Sequence, residues 1–311
     1  MSHPSDRNVA GPAAAPTHGR APVVCGPRER TWEAAVRWLR DQADQEALVR
    51  ACYYDDPLLA AAQRFADSDE WHALRTLLPV KGGNVLDLGA GRGISSYALA
   101  RDGWSVTAVE PDRSALVGAA AIHALSKATD PPIRVVQGSA EALPFADRTF
   151  DLVNGRQVLH HARDLRAMCR EVARVLRPGG RFIATREHVI NRPQDLAAFL
   201  EAHPLHRYYG GEHAHLLSAY TEAIRTSGLT LSKVMGPFDS PINYFPVTTA
   251  QLRALLIAPL ARVLGARAAG FLTSERHWWG RWCFARIVAL RTALATTPGR
   301  LYSFVADRPP V

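Results

Sequence analysis

An apolar run that ends in three closely spaced glycines constrains this chain more than any other feature. It reads Val85-Leu86-Asp87-Leu88-Gly89-Ala90-Gly91-Arg92-Gly93, and a helical pattern begins at Ser95. Such a run reads as a buried strand, and glycines directly after it permit positive φ and close approach of a ligand to the backbone. A helix starting there offers its first amides to the same ligand. The spacing argues against two common nucleotide loops. The dinucleotide pattern GxGxxG needs a third glycine at position 94 or 96, where Ile94 and Ser96 stand, and the triphosphate pattern GxxxxGK[ST] is missing.

Further apolar runs at 106–109, 133–136, 150–153, 182–185, 229–234 and 301–306 alternate with helical stretches. They are too apolar for a sheet with one solvated face, so the expected fold is a doubly wound α/β domain with a mostly parallel, seven-stranded sheet between two helical layers. About sixty residues of helical pattern separate the last two runs and read as an insertion. Ahead of the first run, Trp32, Val36, Leu39 and Ala43 share one helical face, and a second helical stretch runs from Leu58 through Phe65 and Trp71 to Leu78. Pro4, Pro12, Pro16 and Pro22, with few large apolar side chains, mark the start as a flexible tail. The expected division is a tail at 1–28, an N-terminal helical lid at 29–78, a ligand-binding α/β core at 79–235 with 299–308, and a basic helical insertion at 236–298 that caps the substrate side.

With 311 residues, 47% of them hydrophobic, the chain can bury a full core, which excludes disorder throughout. Its apolar stretches fall short of the roughly 18 residues that span a bilayer, and the first thirty residues lack an apolar signal core, so a cytoplasmic location is expected. Cys25, Cys52, Cys169 and Cys283 lie far apart and resemble neither a disulfide framework nor a zinc site. The net charge of +8 is concentrated: from Thr248 to Arg300 there are eight arginines against Glu275 alone. Any argument for an anionic partner rests on that segment.

Asp87 with its glycine loop resembles motif I of the class I S-adenosylmethionine-dependent methyltransferases. Four more segments match in order: the second strand ending at Glu110, the loop Gln137-Gly138-Ser139-Ala140-Glu141-Ala142-Leu143-Pro144-Phe145, the fourth strand leading to Val158-Leu159-His160-His161, and the helix and turn running from Glu171 through Arg177-Pro178-Gly179-Gly180 to Phe182. The resemblance covers roughly residues 79 to 188 and implies S-adenosyl-L-methionine as cofactor. It implies Asp87 on the ammonium group, Glu110 on the ribose hydroxyls, and Ser139 and the Ala140 amide on the adenine. Gly89, Gly91 and Gly93 form the loop, and Pro111, Glu141, Arg156 and Gln157 complete the expected cofactor set. Ser139 stands where the family often has aspartate, which weakens that single assignment.

In an open α/β sheet the chemistry sits beyond the carboxyl ends of the strands. The candidate catalytic residues there are His160, His161, Glu187 and His188, with Tyr209 from a loop that also carries His203, His206, Tyr208, Glu212, His213 and His215. That loop is expected to line the acceptor pocket without a metal, since its spacing matches no standard site. Tyr53-Tyr54-Asp55-Asp56 is a candidate lid. In the insertion, Leu252, Leu255, Leu256, Leu260, Val263 and Leu264 form a stripe expected to face the core. Trp278, Trp279, Trp282 and the flanking arginines also suit an anionic or lipid-linked acceptor or a peripheral membrane contact. An Asn-Pro-Pro-Tyr-type motif is missing, so no nucleic-acid partner is expected. The implied reaction is methyl transfer to an oxygen or nitrogen of a small metabolite or a glycan- or lipid-linked precursor, by a monomer or homodimer. Two alternatives stay open: the same cofactor used for aminocarboxypropyl transfer, lysis or cyclisation, and a non-catalytic cofactor-binding subunit.

Overall fold

A computed structural model describes residues 31–80, 82–130, 132–209 and 211–310; the expected tail at 1–28 lies outside them. The glycine-bearing run forms β1 (Asn84–Leu88), flanked on both sides by parallel partners, β2 (Ser105–Val109) and β4 (Phe150–Arg156). With β3 (Arg134–Val136), β5 (Leu176–Ile190), β6 (His215–Leu216), β7 (Thr230–Met235) and β8 (Arg300–Asp307), they make one sheet in the order β3-β2-β1-β4-β5-β8-β7, with β6 paired to β5. Only β8 runs antiparallel to its two neighbours, so the doubly wound α/β architecture holds.

Side chains alternate across each strand, and both faces of this sheet are apolar. Val85, Leu152, Ile183 and Val305 meet the layer of α3 (Leu58–Ala66), α4 (Asp69–Arg75), α5 (Ile94–Arg101) and α6 (Ala119–Ser126). Their neighbours Leu86, Val153, Phe182 and Phe304 meet α7 (Leu165–Val175) and α10 (Leu217–Thr226). The expected single helix from Leu58 to Leu78 is two, because Ser68 ends the first and caps the second, its hydroxyl accepting from the Trp71 amide. The expected turn at Arg177-Pro178-Gly179-Gly180 lies inside β5. There the register jumps from Phe150 opposite Leu176 to Leu152 opposite Arg181, so the turn bulges out without ending the strand.

A second bulge in β5 matters more for the site. Pairing to β8 slips between Ala184 and Glu187, where Arg186 has a φ of 61°. At the slip Arg186 donates to the carbonyls of Ile242 and Phe245 and lies near Glu70 of α4, while Glu187, wholly buried, stands beside the segment that follows β4. The first helices, α1 (Trp32–Arg40) and α2 (Glu46–Ala51), bury Val36, Leu39 and Val49 against Leu205 of α9 (Pro204–Tyr209), which follows α8 (Asp195–Ala202).

The insertion is helical, as expected: α11 (Pro241–Tyr244), α12 (Thr249–Leu264), α13 (Ala266–Leu272) and α14 (Trp278–Ala293). Its apolar stripe does not behave as one core-facing surface. Leu252 and Leu256 are buried, whereas Leu255, Val263 and Leu264 face solvent. The helices α12, α13 and α14 pack mainly on one another, which leaves too little apolar surface to cover the stripe. Among the described residues no helix is long and apolar enough to cross a membrane.

The N-terminal helices are tied to the sheet by one buried carboxylate. Glu70 of α4 accepts two bonds from Arg156 at the end of β4 (2.6 and 3.1 Å) and lies 3.6 Å from the Arg186 guanidinium. Removing Glu70 leaves two buried cations facing each other. Glu70→Ala is therefore expected to destabilise the fold by about 3–5 kcal/mol, read as a lower urea midpoint. A loss of less than about 1 kcal/mol would show that the pair behaves as a surface bridge.

Candidate active site

Parallel pairing of β1 with β4 sets Asp87 directly opposite Asn154. The Asn154 amide nitrogen donates to Asp87 at 2.9 Å, and the Ser96 hydroxyl, from the first turn of α5, donates at 2.6 Å. Burial pushes the Asp87 carboxyl up to about 6 despite those two bonds. Glu110, just past β2, accepts from the amides of Gly91 (2.7 Å) and Asp112 (2.9 Å), and burial pushes it up to about 7. Between these acids runs the glycine loop, with φ of 59°, 55° and 85° at Gly89, Gly91 and Gly93. A Cβ on Gly89 would meet Val158 at 2.3 Å, whereas one on Gly91 would find nothing closer than 3.8 Å. The loop is thus tight at its base and open at Gly91. Asp87 and Glu110, with no cation bonded to them, flank this loop, and the Oδ1 of Asn154, whose amide nitrogen bonds Asp87, is buried with no partner.

The segment Tyr53-Tyr54-Asp55-Asp56 is clamped onto this loop by Arg92. Its guanidinium donates to the carbonyls of Tyr53 (3.0 Å) and Asp55 (3.1 Å) and to Asp56 Oδ1 (2.8 Å). Arg40 holds the other Asp56 oxygen, and the two arginines keep that carboxyl below its ordinary range against the effect of burial. The side chain of Tyr54 accepts from the Trp32 indole at 3.1 Å. The Trp32 ring also lies edge-on to Tyr209 (5.0 Å) and His161 (6.3 Å), so four aromatic rings gather beyond the end of β4.

The other wall is built on Glu187. Its carboxylate accepts from the amides of Val158, Leu159 and His160 (3.0, 3.1 and 3.1 Å) and from Nδ1 of His160 at 2.6 Å. His160 Nε2 reaches Glu212 at 3.1 Å. Burial works against a charged imidazole, but two carboxylates outweigh it and lift His160 to about 10. His160, together with His161 and His206, holds Glu212 far below the usual carboxylate range in spite of its burial. His161 is the reverse case. Desolvation and the charge on His160 lower it, its Nδ1 faces Glu212 at 3.6 Å, and two-fifths of its side chain is open. His188 bonds the Gly299 carbonyl through Nδ1 (3.0 Å), and burial pushes it well below its ordinary value.

The structure thus brings most of the expected residues into one region and separates their surroundings. Asp87, Gly91 and Glu110 line the opening, with Pro111 beside it, its carbonyl accepting from Gln137. Ser139 accepts from the Glu141 amide, while the Glu141 carboxylate turns away to the amides of Arg163 and Asp164. Arg156 and Gln157 bond each other, and Arg156 is spent on Glu70. His160, His161, Glu187 and Tyr209 gather at the far end; His188 packs between His160 and Phe199. His160, His161 and Glu212 offer three ligand atoms within 4.8 Å of one another, a set that could hold a divalent metal and that also satisfies itself through His160 and Glu212. Sequence reasoning assigned no role to Asn154, Ser96, Arg92 or Trp32. Only the first carried a usable signal, a polar residue inside an apolar strand.

The comparisons agree with this geometry. Residues 86–184 match a family model described as a methyltransferase domain. The chain is 33% identical over 174 residues to the ubiquinone biosynthesis O-methyltransferase of Rhizobium etli, a match covering 53% of this chain and 67% of that protein. Among solved structures, geranyl diphosphate methyltransferase in complex with GPP and sinefungin superposes with a TM-score of 0.52 at 19% identity, over 81% of this chain and 83% of that one. Phosphoethanolamine N-methyltransferase 2 of Haemonchus contortus, in complex with S-adenosyl-L-methionine, gives 0.52 at 19% identity, over 85% of this chain and 59% of that one. These structures share the fold; the sequence relative and the ordered motifs carry the family. The chain belongs to the class I S-adenosylmethionine-dependent methyltransferases.

Proposed function

We propose that the chain transfers the methyl group of S-adenosylmethionine to a hydroxyl oxygen of a small aromatic acceptor. The observation that carries this reading is the His161–Glu212 pair, a half-open imidazole that stays neutral near neutral pH, backed by an ionised carboxylate and set among Trp32, Tyr54 and Tyr209. The Rhizobium relative, an O-methyltransferase by name, supports oxygen as the acceptor atom. The residues fit the cofactor, because two buried carboxylates and the unpartnered Asn154 Oδ1 call for a ligand with a cationic group and hydroxyl donors.

Bound there, S-adenosylmethionine supplies an electrophilic methyl carbon with a neutral sulfur as leaving group. Asp87 would hold the ammonium group and Glu110 the ribose hydroxyls, with Ser139 and the Ala140 amide towards the adenine. Gly89, Gly91 and Gly93 let the backbone approach. His161 would take the proton of the acceptor hydroxyl as that oxygen is methylated. Glu212 orients His161, His160 fixes Glu212, and Glu187 fixes His160; these three are positioning residues. Tyr209 and Trp32 hold the acceptor ring and exclude water. Arg156 and Gln157 brace the floor, and Glu141 and His188 brace its sides.

Two measurements test the donor half. Glu110→Ala is expected to weaken S-adenosylhomocysteine binding at least about tenfold, since it removes a charged acceptor of two hydrogen bonds; unchanged affinity would remove the ribose assignment. Binding should also strengthen with pH. The free carboxyls titrate at about 6 and about 7, and the ligand binds their ionised forms, so affinity is full above that window and is lost as pH falls through it. Calorimetry from about pH 5 to pH 8 that gave a flat profile would contradict the assignment of both acids.

The acceptor half is tested with a simple catechol as probe. His161→Ala should lower kcat by about 100-fold or more while S-adenosylhomocysteine affinity stays unchanged. In the unaltered enzyme kcat should fall on the acid side of the ordinary histidine range, and that limb should vanish in the variant. Retained turnover in His161→Ala, or methylation of an amine probe in place of the catechol, would overturn the reading.

A further inference from the structure

The helices α12 to α14 present an outer surface that a water-facing surface does not need. In α14 the exposed residues Trp278, Arg281, Trp282, Ala285, Arg286, Ala289, Leu290 and Ala293 are spaced three and four apart, so they form one continuous stripe, while Arg291 is exposed on the other side of the helix. The opposite side of the same helix, with Phe284, Ile287 and Val288, turns inward. The helix is therefore apolar all round apart from its arginines, a pattern that belongs to buried or membrane-contacting helices. Yet Trp278 is 73% exposed, Trp282 56% and Leu290 59%. The α12–α13 corner continues the surface with Val263 at 81% and Phe271 at 63%.

Charge identifies the occupant. Between Thr249 and Gly299 there are seven arginines and a single acid, Glu275, which is already bonded to Arg253 at 3.0 Å. Arg286 lies over the Trp282 ring at 5.3 Å, so cation and aromatic ring emerge together on one stripe. A second copy of the chain docked through this face would bring like charges together across a two-fold axis. Residues 1–30 of the same chain hold four arginines against two acids and few large apolar side chains, and match the face poorly. Exposed tryptophans that insert at headgroup depth, ringed by arginines that pair with phosphates, match an anionic lipid bilayer in both respects.

We propose that the α12–α14 insertion docks the enzyme onto the surface of an anionic phospholipid bilayer, with the outer stripe of α14 lying in the headgroup layer. The proposal stands independently of the acceptor reading.

Co-sedimentation with phosphatidylcholine vesicles, with and without phosphatidylglycerol, tests it on the full chain. Binding is expected only with phosphatidylglycerol present, with a blue shift of tryptophan emission and weakening as salt rises. Trp278→Ser with Trp282→Ser should abolish the insertion signal. R281Q/R286Q should lower partitioning on the order of 30-fold. Both variants should bind S-adenosylhomocysteine as the unaltered chain does, which shows that they fold. Failure of the unaltered chain to bind phosphatidylglycerol vesicles would overturn the proposal, as would equal binding by the arginine variant. A solution dimer that the tryptophan variant dissociates, with no vesicle binding, would identify a second copy as the occupant instead.

Discussion

The region proposed to take the acceptor depends on where one carboxylate points. Glu187 is buried inside a strand and takes three consecutive amides and an imidazole, a set of donors that fixes the turn after β4 as firmly as a bound anion would. It can do so because the β5 bulge at Arg186 shifts the register there. A regular strand would have kept Glu187 in its alternating place and left the three amides of residues 158–160 to find water. The charged His160 then stands between Glu187 and Glu212 and draws the distant 203–215 loop onto the sheet. Two acids and one imidazolium leave a net negative charge. Nδ1 of the neighbouring His161 faces the same Glu212 at 3.6 Å.

Across the cofactor opening the same logic runs with arginine. Arg92 rises from the glycine loop to hold the backbone of Tyr53 and Asp55, and Arg156 leaves the end of β4 to hold Glu70. Both cations start from the elements that form the cofactor opening and end on the N-terminal helices. The N-terminal helices are thereby fastened to the glycine loop and to the end of β4. The clamps also explain two residues with positive φ, Tyr53 and Gln157, which sit at the anchored ends of these links.

The central sheet was legible because its information is local. Seven apolar runs became seven strands, and the glycine loop lies where spacing and φ preference put it. The added pair β6, two residues long, has no apolar run to announce it. The site was legible only where a motif marks it. Asp87 and Glu110 follow from the resemblance, whereas Asn154 matters through register with Asp87, and register is a property of two strands together. Glu212 lay in a histidine-rich loop that periodicity reads as irregular; only its bond to His160, 52 residues earlier in the chain, gives it a role. The insertion misled for the opposite reason. Its stripe has the spacing of a core-facing helix, but spacing reports a face and not the surface available to cover it.

Burial sets the protonation on both sides of the reaction, and it acts in opposite directions. In the donor half it raises Asp87 and Glu110 towards neutrality, so these acids ionise most readily when a ligand with a cationic group and hydroxyls arrives to compensate them. In the acceptor half it lowers His161, His188 and His206, keeping them uncharged without any ligand. His160 alone escapes, because two carboxylates overcome its burial, and its charge then pushes its neighbours further down. The one imidazolium of the cluster is thereby outnumbered by Glu187 and Glu212, so the net charge beside the proposed place of a cationic donor stays negative.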